Sequence, residues 1–283
     1  MAALVTRTFG KTGRKVTAVG LGGEGVLRTY NREKEAGAVI REALSAGITY
    51  FDSAAAYAGS EDYYGAFWSH HPGMRPVILQ TSKSANRDKA AAELGLQQTL
   101  TRMNLEYLDL WQIHDLRTFH ELRELEGSDG ALGAFVEARD AGLVRHIGVT
   151  GHHDPAVLTY AVENWPVDAV MLPVNPVEGA LGGFLDATLP AARDRGVAVV
   201  GMKVLGASHY ISPEGGIPAE ILIRYALSQD IAVAIVGCSS PEEVRTLAEV
   251  GRSGEVLSED EQQALVDAFR PYARELAYYR GTL

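Results

Sequence analysis

The chain has 283 residues, of which 46% are hydrophobic and 22% are charged, a composition typical of a folded globular protein. Its formal net charge of −10 argues against nucleic acid or an anionic membrane surface as the main partner. Cys238 is the single cysteine, so a disulfide within the chain is excluded. The sequence shows neither an apolar run of about 18 residues nor a signal-peptide pattern, and it therefore predicts a cytoplasmic protein with one domain over residues 1–283.

Short apolar runs alternate with helical patterns along the chain. A Gly-rich turn at Gly10–Gly13 predicts a β-hairpin between Leu4 and Gly20. The predicted core strands are Val16–Gly22, Ile48–Phe51, Pro76–Thr81, Leu108–Ile113, Val144–Val149, Ala169–Val174, Val197–Met202 and Ile231–Val236. They are apolar throughout rather than alternating, as expected for parallel strands covered on both faces.

Helix signals fall between these strands. Asn31 is the expected cap of the first helix and Gly47 its stop, and Ser258 with Glu261 forms the capping-box pattern of the last helix. The predicted helices are Arg32–Ser45, Ser60–Trp68, Arg87–Met103, Leu132–Ala141, Pro155–Glu163, Leu181–Arg195, Pro218–Gln229, one beginning at Pro241, and Glu259–Arg274. The polar stretch Asp115–Gly127 is expected to be a loop or an irregular helix.

About eight strand–helix units follow one another without a linker. This order predicts an α/β fold, a (β/α)8 TIM barrel with an N-terminal β-hairpin and an extra C-terminal helix. An open doubly wound sheet is the competing layout.

The stretch Gly20–Gly25 has the glycine spacing of a dinucleotide-binding fingerprint. That fingerprint needs its last glycine in the first turn of a helix, whereas the expected cap Asn31 lies six residues beyond Gly25. Asp52 also follows Gly25 at a longer distance than the usual ribose-binding carboxylate. We interpret the glycines instead as a close approach of backbone to a ligand at the barrel mouth.

Polar side chains stand where the apolar runs stop. Asp52 and Tyr57 follow the second strand, Lys83 follows the third, and His114 follows the fourth. Each has a simple structural explanation alone: a loop cap, a packed aromatic, a solvated lysine or a buried histidine. Because functional groups of such barrels gather at the carboxyl ends of the strands, the four are expected to lie together.

Together these residues suit proton donation to a carbonyl. An ammonium at Lys83 is expected to lower the pKa of Tyr57, and Asp52 is expected to keep Lys83 charged and in place. His114 can hydrogen-bond the substrate carbonyl. No nucleophile fits this rim, so a hydride from a nicotinamide is the natural missing reagent. A Schiff-base lyase using Lys83 and a catalytically idle cofactor-binding sensor stay as alternatives.

Several motifs resemble those of the aldo-keto reductases, in the same order and over almost the whole chain. They are Phe51–Tyr57 with Ser60-Glu61, Gln80–Lys83, Leu108–His114, Ile147–Thr150 and Leu227–Gln229. The resemblance implies that Asp52, Tyr57, Lys83 and His114 form the catalytic tetrad, with Tyr57 as the general acid in reduction. It implies a small-molecule carbonyl or sugar substrate, NADP(H) as the usual cofactor, and no metal.

The resemblance also implies a cofactor site. Thr150 and Asn175 resemble the carboxamide-binding positions, Met202 the position that stacks on the nicotinamide, and Leu205 and Ala207 the loop over the pyrophosphate. The other residues expected at this site are Gly23, Asp52, Lys203, Gly237, Ser239 and Glu243.

The chain departs from the family pattern at three places. Met202 replaces the aromatic residue that usually stacks on the nicotinamide. Gly151 stands where the family often has Asn, so one carboxamide contact is expected to be lost. Glu243 stands near the position of an Arg that binds the 2′-phosphate of NADP, and a carboxylate there suits a ribose 2′-hydroxyl instead. Arg245 or Lys203 are the candidates to compensate. NAD(H) is therefore the alternative cofactor.

Overall fold

A closed barrel of eight parallel strands forms the centre of the computed structural model, which describes residues 2–281; residues 1, 282 and 283 of the predicted domain lie outside them. The barrel strands are β3 (Val19–Gly25), β4 (Tyr50–Phe51), β5 (Leu79–Ser84), β6 (Leu108–Ile113), β7 (Val144–Thr150), β8 (Ala169–Pro173), β9 (Ala198–Met202) and β10 (Val233–Cys238). They lie side by side in chain order, and β10 closes the barrel against β3. The predicted barrel is confirmed, and the open sheet is excluded.

A two-stranded antiparallel hairpin precedes the barrel, as predicted. It consists of β1 (Thr6–Thr8) and β2 (Lys15–Thr17), and Thr6 pairs with Thr17. The chain between them returns Phe9 to the interior of the barrel, where its ring is fully buried and lies 6.0 Å from that of Tyr50. At Gly10, which has φ +52°, a Cβ would lie 2.6 Å from the backbone nitrogen of Ala198. The hairpin therefore closes the amino end of the barrel.

Helices surround the barrel, and most of them pack against the strands. The α-helices are α1 (Glu33–Ala46), α2 (Ser60–His70), α3 (Lys89–Met103), α4 (Phe119–Glu126), α5 (Ala131–Asp140), α6 (Pro155–Asn164), α7 (Pro176–Leu181), α8 (Leu189–Asp194), α9 (Ala219–Leu227), α10 (Pro241–Ser253), α11 (Glu259–Phe269) and α12 (Ala273–Leu276). Of these, α11 and α12 pack against α7. Gly47 ends α1 in the left-handed conformation, and Ser258 with Glu261 forms the predicted capping box of α11.

Five sequence-based boundaries are wrong. The first core strand was predicted over Val16–Gly22, whereas Val16 and Thr17 belong to β2 and the barrel strand begins at Val19. Asn31 does not cap α1; Arg32 precedes the helix without a side-chain cap. The third barrel strand begins at Leu79, because residues Pro72–Val77 form a 3-10 helix. The helix predicted over Leu181–Arg195 is interrupted at Gly182 and Gly183, both with positive φ, and continues as a π-helical turn and α8. The last predicted helix ends at Phe269, and Pro271 lies in the 3-10 turn that follows.

The polar stretch after β6 contains the regular helix α4. Thr118 caps this helix by accepting a hydrogen bond from the backbone N–H of Glu121. The stretch was expected to be a loop or an irregular helix, so only its first part matches that description.

The glycine-rich stretch Gly20–Gly25 lies within β3 and leads into a 3-10 turn, Val26–Arg28. It is therefore not the strand–turn–helix of a dinucleotide-binding fingerprint. These glycines allow close packing inside the barrel: a Cβ at Gly22 would lie 2.8 Å from the backbone nitrogen of Gly237. Among the helices of residues 2–281, none has the length and apolar character to cross a bilayer.

Candidate active site

Asp52 and Lys83 form a buried ion pair at the carboxyl end of β4 and β5. Lys83 Nζ donates to both carboxylate oxygens of Asp52, each at 2.7 Å, and to the Ser53 carbonyl at 2.8 Å. Both side chains are about 1% exposed. Lys83 lies inside β5 rather than after it, because that strand extends to Ser84.

Thr81 adds a third partner for the carboxylate. Thr81 and Lys83 point into the barrel together, because side chains two apart in a strand share a face. The Thr81 hydroxyl donates to Asp52 Oδ1 at 2.9 Å, and it is fully buried. Asp52 therefore accepts hydrogen bonds from two neighbouring side chains of one strand. The sequence analysis missed Thr81, although its spacing from Lys83 could have revealed it.

Tyr57 returns to the ion pair through the short loop after β4. Its backbone N–H donates to the carbonyl of Ala54 at 2.9 Å, and its hydroxyl lies 3.4 Å from Lys83 Nζ. The ring fills the space beside Gly23, where a Cβ would lie 2.6 Å from Tyr57 Cδ2. Gly23 thus has a packing role next to the phenol.

The pKa of Tyr57 is shifted in the direction opposite to the prediction. Burial raises the pKa of Tyr57 well above its usual value, and the negative charges of Asp52 and Glu24 raise it further. Lys83 does not reverse this shift, because its charge is already matched by Asp52 at 2.7 Å. The phenol is therefore protonated at neutral pH, which is the state that a proton donor requires.

His114 follows β6 and faces Tyr57. The two rings are edge to face, with centroids 5.5 Å apart and planes at 83°. Burial lowers the pKa of His114 to about 3, and the charges of Lys83 and His152 act in the same direction. The imidazole is therefore neutral at physiological pH and can donate one N–H to a substrate oxygen.

The two predicted carboxamide-binding residues already have partners within the protein. The Thr150 hydroxyl accepts the backbone N–H of Asp115 at 2.8 Å and keeps its own proton to donate. Asn175 caps α7 through its oxygen, and its amide group donates to the Lys203 carbonyl and the Tyr279 hydroxyl, both at 3.1 Å. In this arrangement both N–H groups of Asn175 are used.

The residues after β9 lie on the same rim. Met202 ends the strand and is half-buried, and Lys203 follows it with φ +56°. Burial lowers the pKa of Lys203, and its ammonium lies 5.5 Å from the ring centroid of Tyr279. Leu205 packs against the core, whereas Ala207 is exposed in a left-handed conformation.

The end of β10 leads into the amino terminus of α10. Gly237 packs against Glu24, and Ser239 is exposed. The Glu243 carboxylate accepts the backbone N–H of Ser239 at 2.7 Å. Arg245, the candidate for a 2′-phosphate, is held by Glu42 and Glu242.

The rim carries further residues that the sequence analysis did not assign to it. The Arg28 guanidinium lies 5.0 Å from the ring centroid of Tyr57 and pairs with Glu24 at 2.7 Å. The Tyr279 hydroxyl donates to Glu178 at 2.7 Å, and Arg280 pairs with the same buried carboxylate. The contacts of Tyr279 and Arg280 with Glu178 join segments about 100 residues apart, so no local sequence pattern predicts them.

Comparisons with known proteins agree with this architecture. The chain is 26% identical to L-galactose dehydrogenase of Arabidopsis thaliana over 305 aligned residues, which cover 92% of this chain and 94% of that protein. It is 28% identical to an aldo-keto reductase of Mycobacterium avium over 237 residues, 78% of this chain and 77% of that one.

Solved structures share the fold. Aldo-keto reductase AKR11C1 of Bacillus halodurans in its holo form superposes with a TM-score of 0.76 at 19% identity, covering 99% of this chain and 98% of that one. An aldo/keto reductase of Klebsiella pneumoniae, solved in complex with NADP and acetate, superposes with a TM-score of 0.75 at 22% identity, covering 95% and 96%. The aldo/keto reductase family profile matches residues 18–214. This chain belongs to the aldo/keto reductase family, and it is an oxidoreductase.

Proposed function

We propose that this protein interconverts a small carbonyl compound and its alcohol with a nicotinamide cofactor, and that Tyr57 supplies the proton. The observation that carries the proposal is the buried contact of the Tyr57 hydroxyl with the Lys83–Asp52 pair, at 3.4 Å from Lys83 Nζ. NADP(H) is the proposed cofactor, with NAD(H) as the alternative. When bound, the cofactor supplies or accepts the hydride.

The residues of the tetrad have separate tasks in this proposal. In reduction, the Tyr57 hydroxyl transfers its proton to the carbonyl oxygen as that oxygen gains negative charge. The ammonium of Lys83 stabilises the phenolate that remains, and Asp52 holds the ammonium in place. Neutral His114 donates an N–H to the same carbonyl oxygen and orients it. In oxidation, the Tyr57 phenolate accepts the proton of the alcohol.

The rim beside the tetrad fits a nicotinamide in part. The free proton of the Thr150 hydroxyl suits a carboxamide oxygen, and half-buried Met202 offers an apolar surface for the ring. Asn175 does not offer a free N–H, because Lys203 and Tyr279 take both. We therefore propose Thr150 as the donor to the carboxamide, with Asn175 joining only if Tyr279 moves.

The contacts of Lys83 count against the lyase alternative. Its ammonium has four acceptors for three N–H bonds, namely two carboxylate oxygens, one carbonyl and the more distant Tyr57 hydroxyl. A Schiff-base lysine must instead be a neutral amine with an accessible lone pair.

Assays with NADPH and NADH against aldehydes, ketones and aldoses test the proposal. Aldoses come first, because the relative from Arabidopsis thaliana is named for L-galactose. The Tyr57→Phe variant should bind the cofactor normally, as seen by the fluorescence of bound NADPH, yet lose about 100-fold or more of the turnover. Unchanged turnover in this variant would contradict the assignment of the proton donor.

A further inference from the structure

His152 joins three elements of the barrel mouth. It follows β7, and its Nδ1 lies 2.9 Å from the backbone carbonyl oxygen of Tyr279 in the C-terminal tail, by which we mean residues 277–281. Its Nε2 lies 3.2 Å from Oδ1 of Asp115, the residue directly after His114. One imidazole ring thus stands between the tail and the turn that carries a tetrad residue.

Both partners of the His152 ring can only accept protons. A backbone carbonyl has no proton to give, and an ionised carboxylate has none either. A neutral imidazole carries one N–H, so it can satisfy one of these two oxygens and must face the other with a lone pair. Both contacts together therefore require the imidazolium form.

Asp115 strengthens this requirement. Its Oδ1 is buried and makes no hydrogen bond within residues 2–281, whereas Arg117 donates to Oδ2. A buried carboxylate oxygen without a donor is costly. The nearby Nε2 of His152 is in place to supply that donor after a small rotation of either side chain.

We propose that His152 is a positioning residue of the substrate mouth: its imidazolium ties the tail at Tyr279 to the turn at Asp115, and loss of one proton releases the tail contact. Its effect on catalysis rests on the proposed function; its effect on the tail does not. The contact with Asp115 survives deprotonation because a hydrogen bond to a charged acceptor is the stronger of the two. The remaining proton therefore stays on Nε2, and the Tyr279 carbonyl loses its donor.

The surroundings of His152 favour its deprotonation at acidic pH. Burial lowers the pKa of His152 below its usual value. The neighbouring Asp115 raises it, Lys203 lowers it, the hydrogen bond to Tyr279 raises it, and His153 lowers it. His114, which follows β6, also interacts with His152. The tail contact is therefore complete in acid and open at neutral pH.

Other contacts hold the tail when His152 no longer donates to the Tyr279 carbonyl. Arg280 pairs with buried Glu178, and the Tyr279 hydroxyl donates to the same carboxylate. The backbone N–H of Gly281 donates to the His153 carbonyl at 3.3 Å. Deprotonation of His152 should therefore lower the protection factors of the tail amides about tenfold, as expected for the loss of one hydrogen bond. The tail should stay attached to the barrel.

Hydrogen exchange of the tail amides tests the proposal. The reporters are the amides of Arg280 and Gly281, and protection factors, corrected for intrinsic exchange, are measured between about pH 5 and pH 8. Two variants separate the contacts, since the amide nitrogen of Asn reaches the place of Nδ1 and that of Gln the place of Nε2. His152→Asn should protect the tail at every pH, and His152→Gln should leave it loose at every pH. In the unmodified protein, protection should fall about tenfold as pH rises.

Kinetics provide the second readout, and His70→Gln is the control for loss of an exposed imidazole. KM for the carbonyl substrate should rise with pH in the unmodified protein and stay constant in both His152 variants, while kcat is unaffected. Tail protection that is independent of pH, or equal in the Asn and Gln variants, overturns the proposal. A protein with no turnover but with the expected exchange pattern would contradict the proposed function alone.

Discussion

The ring of Tyr57 occupies the space that a side chain at Gly23 would need. A Cβ at Gly23 would lie 2.6 Å from Cδ2 and 2.8 Å from Cε2 of the ring. The Tyr57 ring fits beside β3 because Gly23 has no side chain. Its hydroxyl contacts Lys83 Nζ. Its position depends on the bare backbone of a neighbouring strand.

Gly23→Ala should therefore reduce turnover more than stability. The added methyl group displaces the Tyr57 ring from Lys83, and a displacement of about 1 Å in a catalytic group costs about 100-fold in rate. Steady-state kcat measures the effect. Gly37→Ala in α1 is the matched control, because a Cβ there meets nothing within 4 Å. It should keep full activity and stabilise the fold by about 0.5–1 kcal/mol. Equal turnover in both variants would contradict the packing role of Gly23.

Removing Lys83 should expose the cost of an unmatched buried carboxylate. Lys83→Met leaves Asp52 in the barrel interior with the Thr81 hydroxyl as its donor, and breaking a buried pair in this way costs about 3–5 kcal/mol. Adding Asp52→Asn removes the charge, so the double variant should regain most of the free energy of unfolding. Neither variant should regain turnover. Urea unfolding and kcat separate the two roles, and a single variant as stable as the parent would contradict the cost of leaving Asp52 without Lys83.

The depressed pKa of His114 predicts a loss of stability in acid. The folded protein keeps this imidazole neutral down to about pH 3, whereas the unfolded chain binds a proton near pH 6.5. The contribution of His114 to the free energy of unfolding is therefore fully present above pH 6.5. It declines as the pH falls toward 3, by up to about 1.4 kcal/mol per pH unit.

Comparison of unfolding at two pH values checks this expectation. At pH 5 the contribution of His114 to the loss should be about 2 kcal/mol. His114→Gln, which cannot titrate, should lose correspondingly less between pH 7 and pH 5. If the variant and the parent lose the same amount, the imidazole is not held neutral in the folded protein.

Glu243 should set the balance between the two cofactors. Its carboxylate lies at the amino terminus of α10, bound to the Ser239 N–H, where it would repel a 2′-phosphate. Glu243→Gln should lower KM for NADPH about tenfold and leave KM for NADH nearly unchanged. Glu249→Gln, an exposed position of the same helix, makes the same change in net charge and should leave the ratio unaltered. If the ratio of KM for NADPH to KM for NADH is unchanged in the Glu243 variant, the 2′-phosphate of NADPH does not bind near Glu243.

The order of the barrel elements was accessible from the sequence because local signals and burial agree there. Gly47 ends α1 in a conformation that suits glycine, and Ser258 with Glu261 caps α11 as the sequence indicated. Some predicted helix boundaries were wrong because helix-breaking residues lie inside an otherwise helical pattern. The glycines Gly182 and Gly183 break a pattern that otherwise reads as one helix.

The tetrad was accessible for a different reason. Its members stand at the ends of adjacent strands, and a parallel barrel brings such ends to one rim. What the sequence could not provide was their electrostatic balance. We expected Lys83 to lower the pKa of Tyr57, but burial and Asp52 prevail. The partners supplied by Tyr279 and Arg280 were also inaccessible, because they come from the far end of the chain.

Phe9 fills the amino end of the barrel interior. Its ring is fully buried at the amino end of the interior, below the level of Tyr50 and the ion pair. Apolar side chains packed with Phe9, among them Val16 and Leu79, therefore separate Asp52 and Lys83 from the amino end of the barrel. In the proposed reaction, the proton that restores Tyr57 between turnovers must therefore arrive from the carboxyl end of the barrel.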